Sequence, residues 1–257
     1  MNQLVLQNVS KKFGGLLAVN QLDLEVPENK ILSLIGPNGA GKTTVFNMIT
    51  GVYPPSNGAI TFKGKKLNNL RSSKIVARGI ARTFQNIRLF KSMTVLENVL
   101  VGMHCRSKSG AIRALLKTPF KVKEERSITK KSLEILDFMG LADFRNDYAS
   151  NLPYGGQRRL EIARALAAQP QIILLDEPAA GMNPSETADL MDLIIKLRDT
   201  GLTVFLVEHD MRLVMGISEI VIVLDYGQKI AQGTPQEIQQ NDKVIEAYLG
   251  TGAKSAA

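Results

Sequence analysis

Apolar and polar positions follow two rhythms along the chain. Residues 3–9 and 22–26 alternate as two paired strands do, with Phe13-Gly14-Gly15 as a turn between them. Asn29, in Pro27-Glu28-Asn29-Lys30, is suited to the left-handed conformation of the next turn. Three mainly apolar runs at 31–35, 172–175 and 202–207 have the texture of strands buried on both faces of a parallel sheet. Residues 57–64 read as a short strand with turns at both ends, and 80–85 as a strand ending in a polar amide, Gln85. Residues 220–224 and 229–232 form a hairpin around Asp225-Tyr226-Gly227-Gln228.

Helical periodicity fills the spaces between. A basic, polar helix lies near 72–79, and one from Thr94 carries apolar positions at Val99, Leu100 and Met103. Others cover about 124–139, 158–166 and 183–199. Three capping boxes mark helix starts: Thr94 with Glu97, Asn183 with Glu186, and Thr234 with Glu237. The pattern predicts an α/β fold with a mostly parallel sheet, a single domain over 1–257. A helical subdomain is inserted at 91–158, and a frayed tail runs over 251–257.

The run at 31–35 leads into Gly36-Pro37-Asn38-Gly39-Ala40-Gly41-Lys42-Thr43-Thr44 and then a helix that Gly51 stops. This is the spacing of the phosphate-binding loop, G-x-x-x-x-G-K-[ST]. Gly36, Gly39 and Gly41 permit positive φ and a close approach of backbone N–H groups to phosphate oxygens. The helix aims its N-terminus at the same anion. Lys42 supplies charge at the β- and γ-phosphates, and the Thr43 hydroxyl can ligate Mg²⁺. A glycine-rich turn that only joins strand to helix would not need the Lys-Thr pair.

Asp176 and Glu177 follow the apolar run at 172–175, at the strand end where α/β sheets place ligands. Asp176 is expected to hold hydrated Mg²⁺, and Glu177 to polarise the water that attacks the γ-phosphate. Gln85 is either a solvated loop residue or a group reaching Mg²⁺ and that water. His209 follows the run at 202–207 and is expected to sense the γ-phosphate. Phe13 either offers its ring to a purine base or packs a turn; the residues leave both open. In Leu152-Pro153-Tyr154-Gly155-Gly156-Gln157, the glycine pair at a helix start has an anion-binding shape without a lysine.

Composition narrows the setting. No run of ~18 apolar residues exists to span a bilayer, and the N-terminal stretch reads as a strand, not a signal peptide. A single cysteine, Cys105, excludes a disulfide framework and a Cys-rich metal site, and suits a reducing cytosol. Lys and Arg total 32 against 24 Asp and Glu, a net charge of +8. Much of the excess lies in Arg106, Lys108, Arg113, Lys117, Lys121, Lys123, Arg126, Lys130 and Lys131, which read as a solvated face before a lipid or partner contact.

The order of these pieces resembles the ATP-binding cassette ATPases over about residues 3–250. The resemblance implies a P-loop NTPase with a RecA-like core, an antiparallel β subdomain and a helical arm. Two cassettes would pair head to tail, each binding ATP with Mg²⁺ between one phosphate loop and the other's signature. In that frame Phe13 stacks on adenine, Gln85 couples the site to a membrane partner, Glu177 is the general base and His209 senses the γ-phosphate. Pro153, Tyr154, Gly155 and Gly156 would face the partner's ATP.

Several segments are more specific: Arg82-Thr83-Phe84-Gln85-Asn86, 158–164, Asp176-Glu177-Pro178-Ala179-Ala180-Gly181-Met182-Asn183-Pro184, Glu208-His209-Asp210-Met211 and Tyr248-Leu249-Gly250. They are similar to ATPases of bacterial branched-chain amino acid importers. Such importers imply a second, different ATPase (a homodimer is the alternative), two integral-membrane permeases and, indirectly, a periplasmic or extracellular solute-binding protein. The ATPase would sit on the cytoplasmic face of the inner membrane, without nucleic acid. Related urea importers and lipopolysaccharide exporters are competing readings, and a soluble ATPase acting on nucleic acid is a more distant one.

Two positions depart from the family pattern. Where the signature Leu-Ser-Gly-Gly-Gln has serine, this chain has Pro153, with neither hydroxyl nor N–H. Asn183 stands where an acid is expected. Both imply an asymmetric pair, in which this chain's loop and Glu177 are competent but its signature serves the partner's ATP poorly.

Overall fold

The computed structural model describes residues 2–103 and 119–249. Its two alternating stretches form long antiparallel strands, β1 (Asn2–Phe13) and β2 (Leu16–Pro27). They exceed the predicted 3–9 and 22–26 because register shifts break the strict alternation beyond Leu6 without ending the pairing. Asn29 takes a left-handed φ of 55° in the turn that follows, as its residue type predicts. β4 (Asn57–Phe62) pairs with β1, and β5 (Lys65–Lys66) with β4, which completes a four-stranded antiparallel sheet.

The apolar runs form the second sheet. β3 (Ile31–Ile35), β6 (Ile80–Arg82), β7 (Ile172–Asp176), β8 (Thr203–Val207) and β9 (Ile220–Asp225) are parallel, and β10 (Gln228–Gly233) turns back antiparallel on β9. The spatial order is β10-β9-β3-β8-β7-β6. All residues of β3, β7 and β8 are buried, as strands covered on both faces must be. β6 stops at Arg82, and Thr83 donates one last backbone hydrogen bond to Leu174 before the chain leaves the sheet towards Gln85.

Two layers of side chains cover this sheet. On one face, α1 (Lys42–Ile49) lies between the two sheets, with Phe46 edge-on to Phe205 at 5.0 Å and Leu4, Leu6 and Leu24 closing over it. On the other face, α3 (Val95–Met103), α5 (Tyr154–Ala167) and α6 (Pro184–Asp199) pack Val95, Leu160, Ile162 and Ile194 onto Ile173, Leu175 and Leu206. Two short helices, α2 (Ser72–Ala77) and α7 (Met211–Ile217), flank the sheet. α8 (Pro235–Gln239) and α9 (Asp242–Leu249) follow β10.

All three capping boxes form, each with reciprocal hydrogen bonds. Gly51, at φ 70°, closes α1 by donating to the Met48 carbonyl. α4 (Pro119–Phe138) begins five residues before the predicted 124, with proline at its first position, where the fixed φ suits a helix start. Arg126, Lys130 and Lys131 are exposed on it, whereas Arg106, Lys108, Arg113, Lys117 and Cys105 lie outside the described residues. The tail from 251 also lies outside them.

Candidate nucleotide-binding site

β3, β6, β7 and β8 all end at one edge of the sheet, and each delivers one part of the site. After β3, Gly36, Gly39 and Gly41 hold φ of 146°, 82° and 102°. A Cβ on Gly36 would lie 2.0 Å from the Leu224 carbonyl oxygen, and one on Gly41 2.6 Å from that of Ala18. The loop is therefore pressed between β9 and β2, where only glycine fits. No side chain caps α1, so its first-turn N–H groups stay available to an anion.

Lys42 curls back along the loop, and its Nζ donates to the carbonyls of Gly36 at 2.7 Å and Pro37 at 2.9 Å. Burial lowers its pKa from the usual lysine value, and the charges of Glu177 and Asp176 pull it partly back. The loop lysine thus lies within electrostatic reach of the carboxylates at the end of β7. Phe13 ends β1 with its ring half exposed, edge-on to Tyr53 at 5.1 Å, and Lys11 lies 5.1 Å from its centroid.

Asp176 is buried and paired with a residue that its sequence did not single out. Arg82 donates from Nη2 to Oδ2 of Asp176 at 2.7 Å. Glu177, the next residue, is held at φ 47°, in the left-handed region that a glutamate rarely occupies. Its N–H donates to the Val207 carbonyl at 2.8 Å, which pins the turn to β8. Gln85 Nε2 donates to Oε2 of Glu177 at 2.8 Å, and His209 Nδ1 lies 3.8 Å from the same oxygen. The His209 side chain is 64% exposed. Three residues from three strand ends thus meet at one carboxylate.

Two further groups support this cluster. Glu208 is buried and accepts the N–H of Ala179 on one oxygen and those of His209 and Asp210 on the other. It ties the loops after β7 and β8 together. Arg158 and Glu161, both buried on α5, are paired at 3.0 Å. Arg158 donates to the carbonyls of Phe84 and Gln85, while Glu161 accepts the N–H groups of Phe84 and Arg88. Burial raises the Glu161 pKa, and the Arg158 charge and those N–H groups counter it. The Gln85 loop is strapped to the helix that begins at the signature.

Pro153 is the N-cap of α5 and offers no side-chain cap. Tyr154 donates its hydroxyl proton to the Ala180 carbonyl at 2.8 Å, and Gly155 lies against Glu186 of α6. Gly156 packs on Leu152 and Pro153. The signature residues are therefore anchored to the 180–186 segment. Asn183 keeps its capping role, accepting the Glu186 N–H at 3.0 Å.

The donor set fits Mg²⁺. Thr43 and Asp176 offer hard oxygen ligands, and no group of three or more His, Cys, Asp or Glu able to hold a metal occurs among the described residues. Mg²⁺ takes hard oxygen ligands of this kind, one or two from protein and the rest from phosphate and water.

A glycine-cradled loop, a lysine and a carboxylate pair at one sheet edge define a P-loop nucleotide-binding site. The family model for the ABC transporter matches residues 19–180, so the chain belongs to that family and is an ATP hydrolase of the ABC type. A second model, for the branched-chain amino acid ATP-binding cassette transporter, matches residues 228–254. The chain is 50% identical over 248 residues to the high-affinity branched-chain amino acid transport ATP-binding protein LivG of Salmonella typhimurium, covering 96% of this chain and 97% of that one.

Among solved structures, an ATP-binding cassette of an ABC transporter in its ADP conformation aligns with a TM-score of 0.85 and 31% identity, over 97% of this chain and 99% of that one. A dimeric cassette in a post-hydrolysis state with ADP and Pi aligns at 0.73 and 28% identity, over 90% and 98%. No helix among the described residues is long and apolar enough to cross a membrane.

Proposed function

We propose that this protein is the ATP-hydrolysing subunit of a membrane importer for branched-chain amino acids, working as one half of a head-to-tail pair of cassettes. The observation that carries the chemistry is the meeting of Gln85, Glu177 and His209 at one carboxylate. The half identity to LivG and the match of the C-terminal model support the solute class.

On ATP binding, Lys42 exchanges the Gly36 and Pro37 carbonyls for β- and γ-phosphate oxygens, and the N–H groups of 39–44 receive the rest of the charge. Phe13 stacks on the adenine. Thr43, Gln85 and Asp176 would hold Mg²⁺, which would supply charge neutralisation on the phosphates when bound. Glu177 takes a proton from the attacking water, Gln85 fixes the carboxylate that does so, and His209 donates to the γ-phosphate. Pro153, Tyr154, Gly155 and Gly156 meet the partner's nucleotide.

The nucleotide touches both cassettes only when they are closed, so binding favours closure and hydrolysis releases it. Two permeases receive that motion on the cytoplasmic face of the inner membrane, and an external solute-binding protein delivers the amino acid. The test is uptake of labelled leucine into vesicles containing this chain, a partner cassette and the permeases. Uptake that needs ATP and is lost in Glu177→Gln is the expected result. ATP turnover without ATP-driven leucine uptake overturns the solute assignment, and no turnover overturns the whole reading.

A further inference from the structure

Arg82 stands outside every role above. It ends β6 opposite Leu174 of β7, two residues before Asp176 on that neighbouring strand. Its guanidinium reaches in two directions at once. Nη2 donates to Oδ2 of Asp176 at 2.7 Å, while Nη1 donates to Oδ1 of Asn47 at 2.7 Å and to Oγ1 of Thr50 at 3.1 Å. The Arg82 and Asp176 side chains are both 6% exposed. The rings of Phe46 and Phe84 lie 5.6 and 5.1 Å from the guanidinium carbon.

The partners on α1 follow helical geometry. Thr43, Asn47 and Thr50 are spaced i, i+4, i+7 and so share one face of the helix. One guanidinium therefore joins the carboxylate at the end of β7 to the helix face that begins at Thr43. Phe84, whose ring faces the same guanidinium, immediately precedes Gln85. Asn47 and Asp176, 129 positions apart in sequence, thus share a single buried cation.

Stability alone does not account for this arrangement. Burying an ion pair costs desolvation that its attraction seldom exceeds, and an apolar contact would join sheet to helix as well. Arg82 Nε, moreover, has no acceptor among the described residues. What the pair supplies is orientation: Arg82 engages one oxygen of Asp176 and leaves the carboxylate's other oxygen for a hydrated cation.

We propose that Arg82 is a positioning residue that sets the Asp176 carboxylate against the Thr43 face of α1, so that the two accept Mg²⁺ together with ATP. This inference rests on the nucleotide-site reading above. The test uses the full chain and equilibrium binding of a fluorescent ATP analogue, once with Mg²⁺ and once in EDTA, for wild type, Arg82→Met and Arg82→Lys. In Arg82→Met, binding with Mg²⁺ is expected to weaken about tenfold, as when the outer partner of a metal ligand is lost. Binding in EDTA stays as in wild type, and Arg82→Lys recovers part of the loss.

Equal weakening with and without Mg²⁺ assigns Arg82 to the fold alone and overturns the proposal, as does no change in either. Should Arg82→Met fail to fold by circular dichroism, Asn47→Ala keeps the ion pair but removes one anchor on α1. It is expected to give the same Mg²⁺-specific loss at smaller size, and its absence also overturns the proposal. Wild type that binds no nucleotide sinks the site reading itself. Wild type that binds equally with and without Mg²⁺ sinks only the metal role of Asp176 and, with it, that of Arg82.

Discussion

Gln85 and Glu177, 92 positions apart, are joined by a 2.8 Å hydrogen bond from the amide to the carboxylate. The bond spans β6 and β7, and each partner is held from behind: Gln85 through its carbonyl on Arg158, Glu177 through its N–H on Val207. A carboxylate fixed in this way has one oxygen engaged and one to spare for water, as a general base requires.

In the chain assembled with a partner cassette, Glu177→Gln is therefore expected to lower ATP turnover at this chain's own site by about 10²–10⁴-fold while leaving ATP binding intact. Gln85→Ala removes a bond worth about 1 kcal/mol and loosens the base without removing it, so its turnover should fall by roughly a factor of ten or less. Turnover and nucleotide binding measured on both variants separate these effects. Glu177→Gln turning over at the wild-type rate would remove Glu177 from the chemistry.

The phosphate loop makes a separate demand on the fold. A methyl group on Gly36 would sit 2.0 Å from the Leu224 carbonyl, at a φ that alanine avoids. Gly36→Ala is expected to lose roughly 1–3 kcal/mol of stability or more as β9 is pushed aside. Thermal unfolding with and without ATP checks this, and an unshifted midpoint would contradict the close packing of loop on strand.

At the opposite end of β9, Glu219 accepts hydrogen bonds from Lys30, the Ile31 N–H and Arg198. Burial raises its pKa, but these bonds and the Lys30 charge outweigh it, so the net shift is downward. Between that lowered value and 4.5 the unfolded chain binds more protons, so stability rises with pH there and is lost as pH falls. Glu219→Gln should thus flatten the acid limb of the stability curve below pH 4.5. Denaturant unfolding between pH 3 and 7 tests the sign, in the range where carboxylates titrate at ~4.

If Pro153 weakens this chain's signature, as its missing hydroxyl and N–H imply, the two sites of a cassette pair are unequal. With Glu177→Gln in this chain, only the partner's site can turn over, and it depends on this chain's signature. Residual activity is expected to be small with Pro153 and to rise in Pro153→Ser, whose hydroxyl can donate to phosphate. Residual activity near half of the unmodified pair, unchanged by serine, would make the two sites equivalent.

Much of the site was legible because its signals are local. The loop at 36–44, the carboxylates after an apolar run and the capping boxes each occupy fewer than ten residues and need no partner elsewhere to be read. What stayed hidden depends on tertiary contact. Arg158 and Arg159 look alike in sequence, yet Arg158 is fully buried under the Gln85 loop while Arg159 reaches Asp189 near the surface. Arg82 falls inside the predicted 80–85 strand, whose polar end is Gln85, and only the neighbouring β7 makes it a partner of Asp176. α7, two turns capped by Asp210, is too short for periodicity to reveal. The β1–β2 ribbon extends beyond its alternating pattern because bulges disturb the alternation that would mark it.

On the reading proposed above, this chain holds a competent catalytic site that a different cassette must complete. The steady-state ATPase rate of the chain, alone and mixed with candidate partner cassettes, with Glu177→Gln as control, tests it most directly. Near-zero activity alone, raised by a partner and lost again in Glu177→Gln, is the expected result. Substantial activity alone, abolished by Glu177→Gln, would mean a self-sufficient homodimer whose Pro153 signature works, and would contradict the asymmetric pair.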